Sequence, residues 1–245
     1  MLEMLTRLSG RLASQTRRSE ESEQLQQFST PLALGFVAAE AAALTPADLV
    51  LEPSAGTGML AIFAELAKAR LALNEIADMR AGLLGRLFRD VAVTRHNAEQ
   101  IHDRLDPAIR PSVLLMNPPF SASPNIEGRF AEAAMRHVSS ALVRLAEGGR
   151  LIAITGHNVG PDQPAWRDAF VRLQEKARVV FTATIAGKAY IRHGTSIDTR
   201  LTVIDRVPAP NGIRCAPGCA PALAPISPST PRNGTSTQSG RLASS

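Results

Sequence analysis

Leu49-Val50-Leu51-Glu52-Pro53-Ser54-Ala55-Gly56-Thr57-Gly58 decides how the chain folds. Three apolar residues in a buried-strand pattern, with the β-branched Val50 at the centre, run into an acid and then a turn with two glycines. An alanine-rich helical pattern follows from Met59. This predicts a strand that ends in a tight loop and opens a helix. Glycines there let the backbone turn sharply and let a ligand approach where a Cβ would block it. A plain strand-to-helix turn uses the same residues. No GK[ST] follows, so the loop is not a P-loop, and two glycines suit a dinucleotide pyrophosphate less well than three.

Further apolar runs recur at residues 71–73, 91–93, 113–116, 151–154, 179–185 and 201–204. Amphipathic stretches lie between them, and helices are expected over residues 31–43, 59–69, 78–89, 129–146 and 164–176. Short continuous apolar strands separated by such helices predict an α/β fold: about seven strands, mostly parallel, with helices on both faces. Thr30 before Pro31 and Asp162 before Pro164 read as helix starts, where proline's missing N–H costs little. Gly148-Gly149 closes the long fourth helix.

Polar residues gather where these strands end. The second ends in Leu73-Asn74-Glu75, and Glu75 lies 17 residues beyond Gly58. A carboxylate there is placed to accept from both hydroxyls of a ribose, or to sit solvated at a strand end. The third ends in Arg95-His96-Asn97, where an asparagine amide suits an adenine edge or a turn. The fourth runs from Val113-Leu114-Leu115-Met116 directly into Asn117-Pro118-Pro119-Phe120. Two prolines fix the backbone and remove its donors. The Asn117 oxygen and the Pro118 carbonyl are then placed to accept from one NH2 group, leaving its lone pair to attack a carbon. Phe120 is suited to stack on a base, a contact worth about 1–3 kcal/mol in single-strand binders.

Gln27-Phe28-Ser29-Thr30-Pro31, Glu52-Pro53-Ser54-Ala55-Gly56-Thr57-Gly58 and Asn117-Pro118-Pro119-Phe120, in this order, resemble the amino-methyltransferases that use S-adenosylmethionine. The resemblance is to the DNA adenine-N6 enzymes, of the NPPF type, in which the cofactor motifs precede the catalytic one, and it spans residues 27–206. It implies a Rossmann-like class I methyltransferase fold. It also implies that Phe28 and Thr30 border the methionine part of the cofactor. Glu52, Pro53, Ala55, Gly56 and Gly58 would hold its amino-acid end, Glu75 the ribose and Asn97 the adenine. Asn117, Pro118, Pro119 and Phe120 would hold the target base. The segment from Tyr190 to Arg206, where the family places its last hairpin, is similar to methylase regions of strawberry-notch-like bacterial helicase proteins. Tyr190 would be a second wall for the base, or a half-buried strand tyrosine. Asn97 departs from the aspartate usual at its position. No spacer after Phe120 is long enough for a target-recognition domain, so a separate or missing specificity or helicase region is implied.

Composition fits this reading. The chain has 245 residues, 44% of them hydrophobic and 20% charged, which is ordinary for a globular domain. A formal charge of +5 favours a polyanionic partner, DNA first. The tail from Val207 onward holds three arginines and no acid, and so supplies much of that excess. Cys215 and Cys219, both in the tail, are the only cysteines, which suits a reducing cytoplasm. No histidine falls into a metal-binding spacing, so no metal is expected. No run is apolar for long enough to span a bilayer, and no membrane partner is expected. Residues 1–30 read as an N-terminal helical segment, since Glu3 and the acids at 20, 21 and 23 argue against a transit peptide. Residues 31–206 form the methyltransferase domain, and 207–245 a disordered tail rich in Pro, Ser and Gly. Methyl transfer to the exocyclic amine of adenine in DNA is the expected function. The alternatives are an RNA or protein-glutamine N-methyltransferase, or an inactive cofactor- or DNA-binding module.

Overall fold

The apolar strand residues alternate between two cores. A computed structural model describes residues 1–11, 28–119 and 127–207, with the backbone alone for residues 2, 6 and 127–132. The strands are β1 (Leu49–Glu52), β2 (Arg70–Asn74), β3 (Val93–Thr94), β4 (Val113–Met116), β5 (Arg150–Gly156), β6 (Arg178–Ile185) and β7 (Thr199–Asp205). They form one sheet in the order β3-β2-β1-β4-β5-β7-β6. β7 runs antiparallel to both its neighbours, and the other pairings are parallel. The expected mostly parallel sheet of seven strands is what forms.

The helices are α1 (Leu2–Arg11), α2 (Leu32–Ala42), α3 (Ala61–Leu66), α4 (Asp78–Leu87), α5 (Ile101–Arg104), α6 (Glu127–Arg144) and α7 (Arg167–Gln174). On one face, Leu51, Leu114, Met116, Leu151 and Ala153 pack against Val138 and Ala141 of α6, Leu145 just after it, and Phe170 and Leu173 of α7. On the other, Val50, Val113, Leu115, Ile152 and Ile154 pack against Leu34, Ala38 and Ala42 of α2 and Ala64 of α3. Successive residues of one strand thus bury themselves against opposite helical layers, as a sheet covered on both faces requires. No helix among the described residues is long and apolar enough to cross a membrane.

Several expected boundaries move. The third strand is only Val93–Thr94, because Ala92 is exposed and contributes nothing to a core. Residues 164–166 form a 3₁₀ turn before α7 begins at Arg167. The N-cap of α2 is Pro31, not Thr30, because the Thr30 hydroxyl accepts from another residue described below. Asp162 does not start a helix, but pairs with the buried Arg200. The N-terminal helix ends at Arg11, and residues 12–27 and 208–245 lie outside the described residues.

The topology places the site. Strand order reverses between β1 and β4, which are neighbours in register Val50–Val113 and Leu51–Leu114. At such a switch point the loops leave the two strands in opposite directions and open a crevice beyond their carboxyl ends. Glu52 closes β1, and Asn117 follows β4.

Candidate active site

A cavity of about 220 Å³ occupies that crevice. One water needs about 10–15 Å³ of such space, so the cavity suits a molecule rather than a lone ion. Its lining includes Phe28, Thr30, Glu52, Pro53, Ala55, Gly56, Glu75, Asn97, Asn117, Pro118 and Pro119. The fold therefore brings together, around one space, residues that the sequence singled out across 92 positions (28 to 119). Gly58 is outside the lining; it holds φ +80°, and a Cβ there would meet Phe88 at 2.7 Å. It shapes the loop from behind. Phe120 lies outside the described residues.

The glycine loop is braced by two strand ends. Gly56, at φ +57°, donates its N–H to Glu75 Oε2 (2.7 Å), and Ala77 N–H donates to Glu75 Oε1 (2.9 Å). Each oxygen of this buried carboxylate is thereby held in place. Asn74, which sequence reading passed over, is 1% exposed and uses its whole amide. Its Nδ2 donates to the carbonyls of Pro53 (2.8 Å) and His96 (2.9 Å). Its Oδ1 accepts from His96 N–H (2.8 Å) and Thr94 Oγ1 (2.9 Å). One side chain thus ties the ends of β1, β2 and β3 together. The only sequence signal was a polar residue closing an otherwise apolar strand.

Asn117 is oriented from the far side. Its Nδ2 donates to Thr30 Oγ1 at 3.0 Å, and Thr57 Oγ1 donates to Ser29 Oγ at 3.4 Å, so residues 28–30 close over the loop. With the amide nitrogen engaged, the Asn117 oxygen is the acceptor left over. It is buried and has no hydrogen-bond partner among the described residues. Tyr190 stands behind this pair. It is neither a wall of the cavity nor a strand residue: it lies in a 3₁₀ turn, Gly187–His193, fully buried with Phe28 and Leu201. Burial pushes its phenol well up, against a smaller opposing effect of the Asn117 side chain.

Two more lining residues carry orphaned atoms. Glu52 is 2% exposed, and its Oε2 has no partner among the described residues. Burial raises its pKa well above the usual carboxylate range, a backbone hydrogen bond from Ala61 opposes the shift, and the nearby Glu75 adds to it. His137, on α6, has an unpartnered Nδ1 and a pKa lowered chiefly by burial, with Glu99 opposing and Arg136 assisting. Sequence reading took His137 only as one of five scattered histidines. Its placement depends on α6 packing beside the turn after β3. Asn97 differs from expectation in its bonding: its Oδ1 accepts from Glu99 N–H at 3.0 Å, so it does not present a free donor–acceptor pair.

Buried polar atoms without partners are few in folded proteins and call for explanation. Here a carboxyl oxygen, an amide oxygen and an imidazole nitrogen all belong to residues around one cavity. The donor set calls for an occupant rich in N–H groups. The lining fits S-adenosylmethionine, which offers an ammonium and an aromatic amine together with a ribose diol.

No protein-family model and no curated protein sequence matches the chain. Solved structures do. The type I restriction enzyme EcoKI M protein superposes with a TM-score of 0.59 at 15% identity, covering 74% of this chain and 44% of its own. TrmN from Thermus thermophilus gives 0.53 at 18%, covering 72% and 49%. PH1948 from Pyrococcus horikoshii, whose assignment as an RNA methyltransferase is provisional, gives 0.58 at 16%, covering 84% and 98%. The chain thus spans about half the length of the first two and nearly all of the third. At these identities the likeness establishes the fold, which is the Rossmann-like class I methyltransferase fold.

Proposed function

We propose that this chain transfers the methyl group of S-adenosylmethionine to the exocyclic amino nitrogen of adenine in DNA. The observation that carries the reading is the Asn117 amide. Its nitrogen is tied to Thr30, and its oxygen, buried and without a hydrogen-bond partner among the described residues, belongs to a residue lining the cavity that Glu52 and Gly56 also line. When bound, S-adenosylmethionine supplies a methyl group activated by a sulfonium.

Glu52, Pro53, Ala55 and Gly56 would hold the amino-acid end of that cofactor, with the orphaned Glu52 oxygen accepting from the ammonium. Phe28 and Thr30 border its methionine part, and Glu75, braced by two backbone N–H groups, would accept from the ribose. Gly58 keeps the loop's curvature. At the target, Asn117 Oδ1 and the Pro118 carbonyl accept the two N–H bonds of one amine. Acceptors on both hydrogens draw an aromatic amine toward tetrahedral geometry and localise its lone pair on nitrogen. Pro119 stiffens the tetrapeptide, and Phe120 stacks on the base. The base must leave a duplex stack to enter, which costs a few kcal/mol and less from a single strand. Fixing the two reactants in line does most of the rest. DNA recognition would draw on a separate specificity region.

The test is a labelled-methyl assay on duplex DNA, single-stranded DNA, RNA and bulk protein, with digestion of the products to nucleosides and amino acids and mass spectrometry. N6-methyladenosine in its deoxy form is the expected product. Label in ribonucleosides or in glutamine would overturn the DNA assignment, and cofactor binding without transfer would make the chain a binding module. RNA is the second reading, favoured by one observation: the chain matches 98% of the length of PH1948.

A further inference from the structure

Asn97 and His137 meet at Glu99. Asn97 Oδ1 accepts the Glu99 N–H at 3.0 Å in a turn that opens a 3₁₀ segment, Ala98–Gln100. That leaves Nδ2 as the donor its side chain still has to offer to the cavity it lines. His137 lines the same cavity, and its side chain is 9% exposed. Its Nε2 lies 3.9 Å from Glu99 Oε1, and Arg136 binds the same carboxylate at 3.1 and 3.3 Å. Burial favours the neutral ring. In a neutral imidazole one nitrogen carries the proton and the other accepts, and the partner of one sets the role of the other. A proton on Nε2 faces the Glu99 carboxylate at 3.9 Å, and a proton on Nδ1 does not. We therefore assign the neutral ring as the Nε2–H tautomer, with Nδ1 as acceptor. It is buried and has no partner among the described residues.

We propose that Asn97 and His137 divide the reading of the cofactor's adenine: Asn97 Nδ2 donates to a ring nitrogen, and His137 Nδ1 accepts from the 6-amino group. This rests on the S-adenosylmethionine reading and assigns the purine end of that site. Asn97 supplies no charge, and its oxygen is already engaged by Glu99. The orphaned imidazole nitrogen supplies an acceptor at the same end of the site.

Calorimetry with S-adenosylhomocysteine and with its 6-deamino analogue, which keeps the ring nitrogens and has hydrogen in place of the amine, tests the assignment. The wild-type protein should bind the amino compound about tenfold more tightly, the worth of one good hydrogen bond in a pocket. His137→Phe, which keeps a planar ring without the acceptor, should bind the two equally. Asn97→Ala should weaken both compounds alike. In ¹⁵N-histidine spectra of the wild type, which need no variant, the Nδ1 resonance of His137 should shift on adding S-adenosylhomocysteine and stay put with the deamino analogue. Equal binding by the wild type, full discrimination by His137→Phe or an unmoved Nδ1 resonance would overturn the assignment and leave the cofactor reading standing. Failure of the wild type to bind either compound would overturn both.

Discussion

Thr30 and Asn117, 87 residues apart, are joined by a 3.0 Å hydrogen bond from the amide nitrogen to the hydroxyl. The bond fixes which end of the Asn117 amide faces its remaining neighbours. Asn117→Ala removes the acceptor outright, and turnover should fall by about 10²–10³, the usual loss for one preorganised polar group at a transition state. Thr30→Val keeps shape and volume but frees the amide to flip. Turnover should then fall by roughly tenfold, the worth of a single hydrogen bond, with little change in affinity for S-adenosylhomocysteine. Initial rates of methyl transfer and calorimetry on both variants check the split. Equal losses in rate and cofactor affinity for Thr30→Val would show that Thr30 acts on the cofactor instead.

Glu52 gives a pH dependence of unusual sign. Its folded pKa is raised by burial, so the folded protein holds this proton more tightly than the unfolded chain, where glutamate titrates near about 4.3. Stability from this group is therefore present at low pH and is lost as pH climbs through the folded value. Glu52→Gln should melt higher than the wild type at about pH 7.5, with the gap closing toward about pH 4. The same variant should bind S-adenosylhomocysteine more weakly, because an amide cannot pair with its ammonium as a carboxylate does. Titration in buffers of different ionisation heat should show proton release on binding to the wild type and none with Glu52→Gln. A gap that widens toward acid would contradict the assigned shift.

Gly58 and Gly82 separate steric need from mere sequence identity. Gly58 sits at φ +80° with Phe88 Cε2 2.7 Å from where a Cβ would be, and Gly82, inside α4, has open space around it. Gly58→Ala should lose about 1–3 kcal/mol, from strain and overpacking together. Gly82→Ala should gain about 0.4–1 kcal/mol, because alanine costs less to order in a helix. Urea denaturation of each variant decides it, and a stable Gly58→Ala would mean that the loop adopts another path.

The strands were legible because buried parallel strands are short apolar runs with a helix after each, a pattern that needs no tertiary information. Glu52, Gly56 and Asn117 were legible because polar residues at strand ends interrupt that pattern. Sequence could not show that β7 inserts antiparallel between β5 and β6, since apolar runs carry no direction. Nor could it find His137, which lies 20 residues beyond Asn117 on a helix whose periodicity reports only which face is apolar. Tyr190 misled for a related reason. A tyrosine near polar residues invites a binding role, yet packing with Phe28 and Leu201 buries it completely. Thr30 reads as a helix cap in sequence, and only the folded chain brings Asn117 to compete for its hydroxyl.

Asn74 provides the last test, because it bears on fold and site together. All of its amide hydrogen-bonding capacity is spent on the ends of three strands, at 1% exposure. Asn74→Ala leaves the Pro53 and His96 carbonyls and the His96 N–H without this partner, and unsatisfied buried groups cost about 1–3 kcal/mol each where water does not reach them. A total loss of about 3 kcal/mol is expected. Asn74→Asp keeps the acceptor and discards both donors, and it adds a third acid beside Glu52 and Glu75. It should therefore cost as much stability as alanine, and become milder as pH falls and the carboxyl protonates. Because Pro53 and His96 themselves line the cavity, both variants should also weaken S-adenosylhomocysteine binding by about tenfold or more. Urea denaturation and calorimetry on the same samples provide the readout. Lost stability with intact affinity would mean that the glycine loop holds its shape through Glu75 alone.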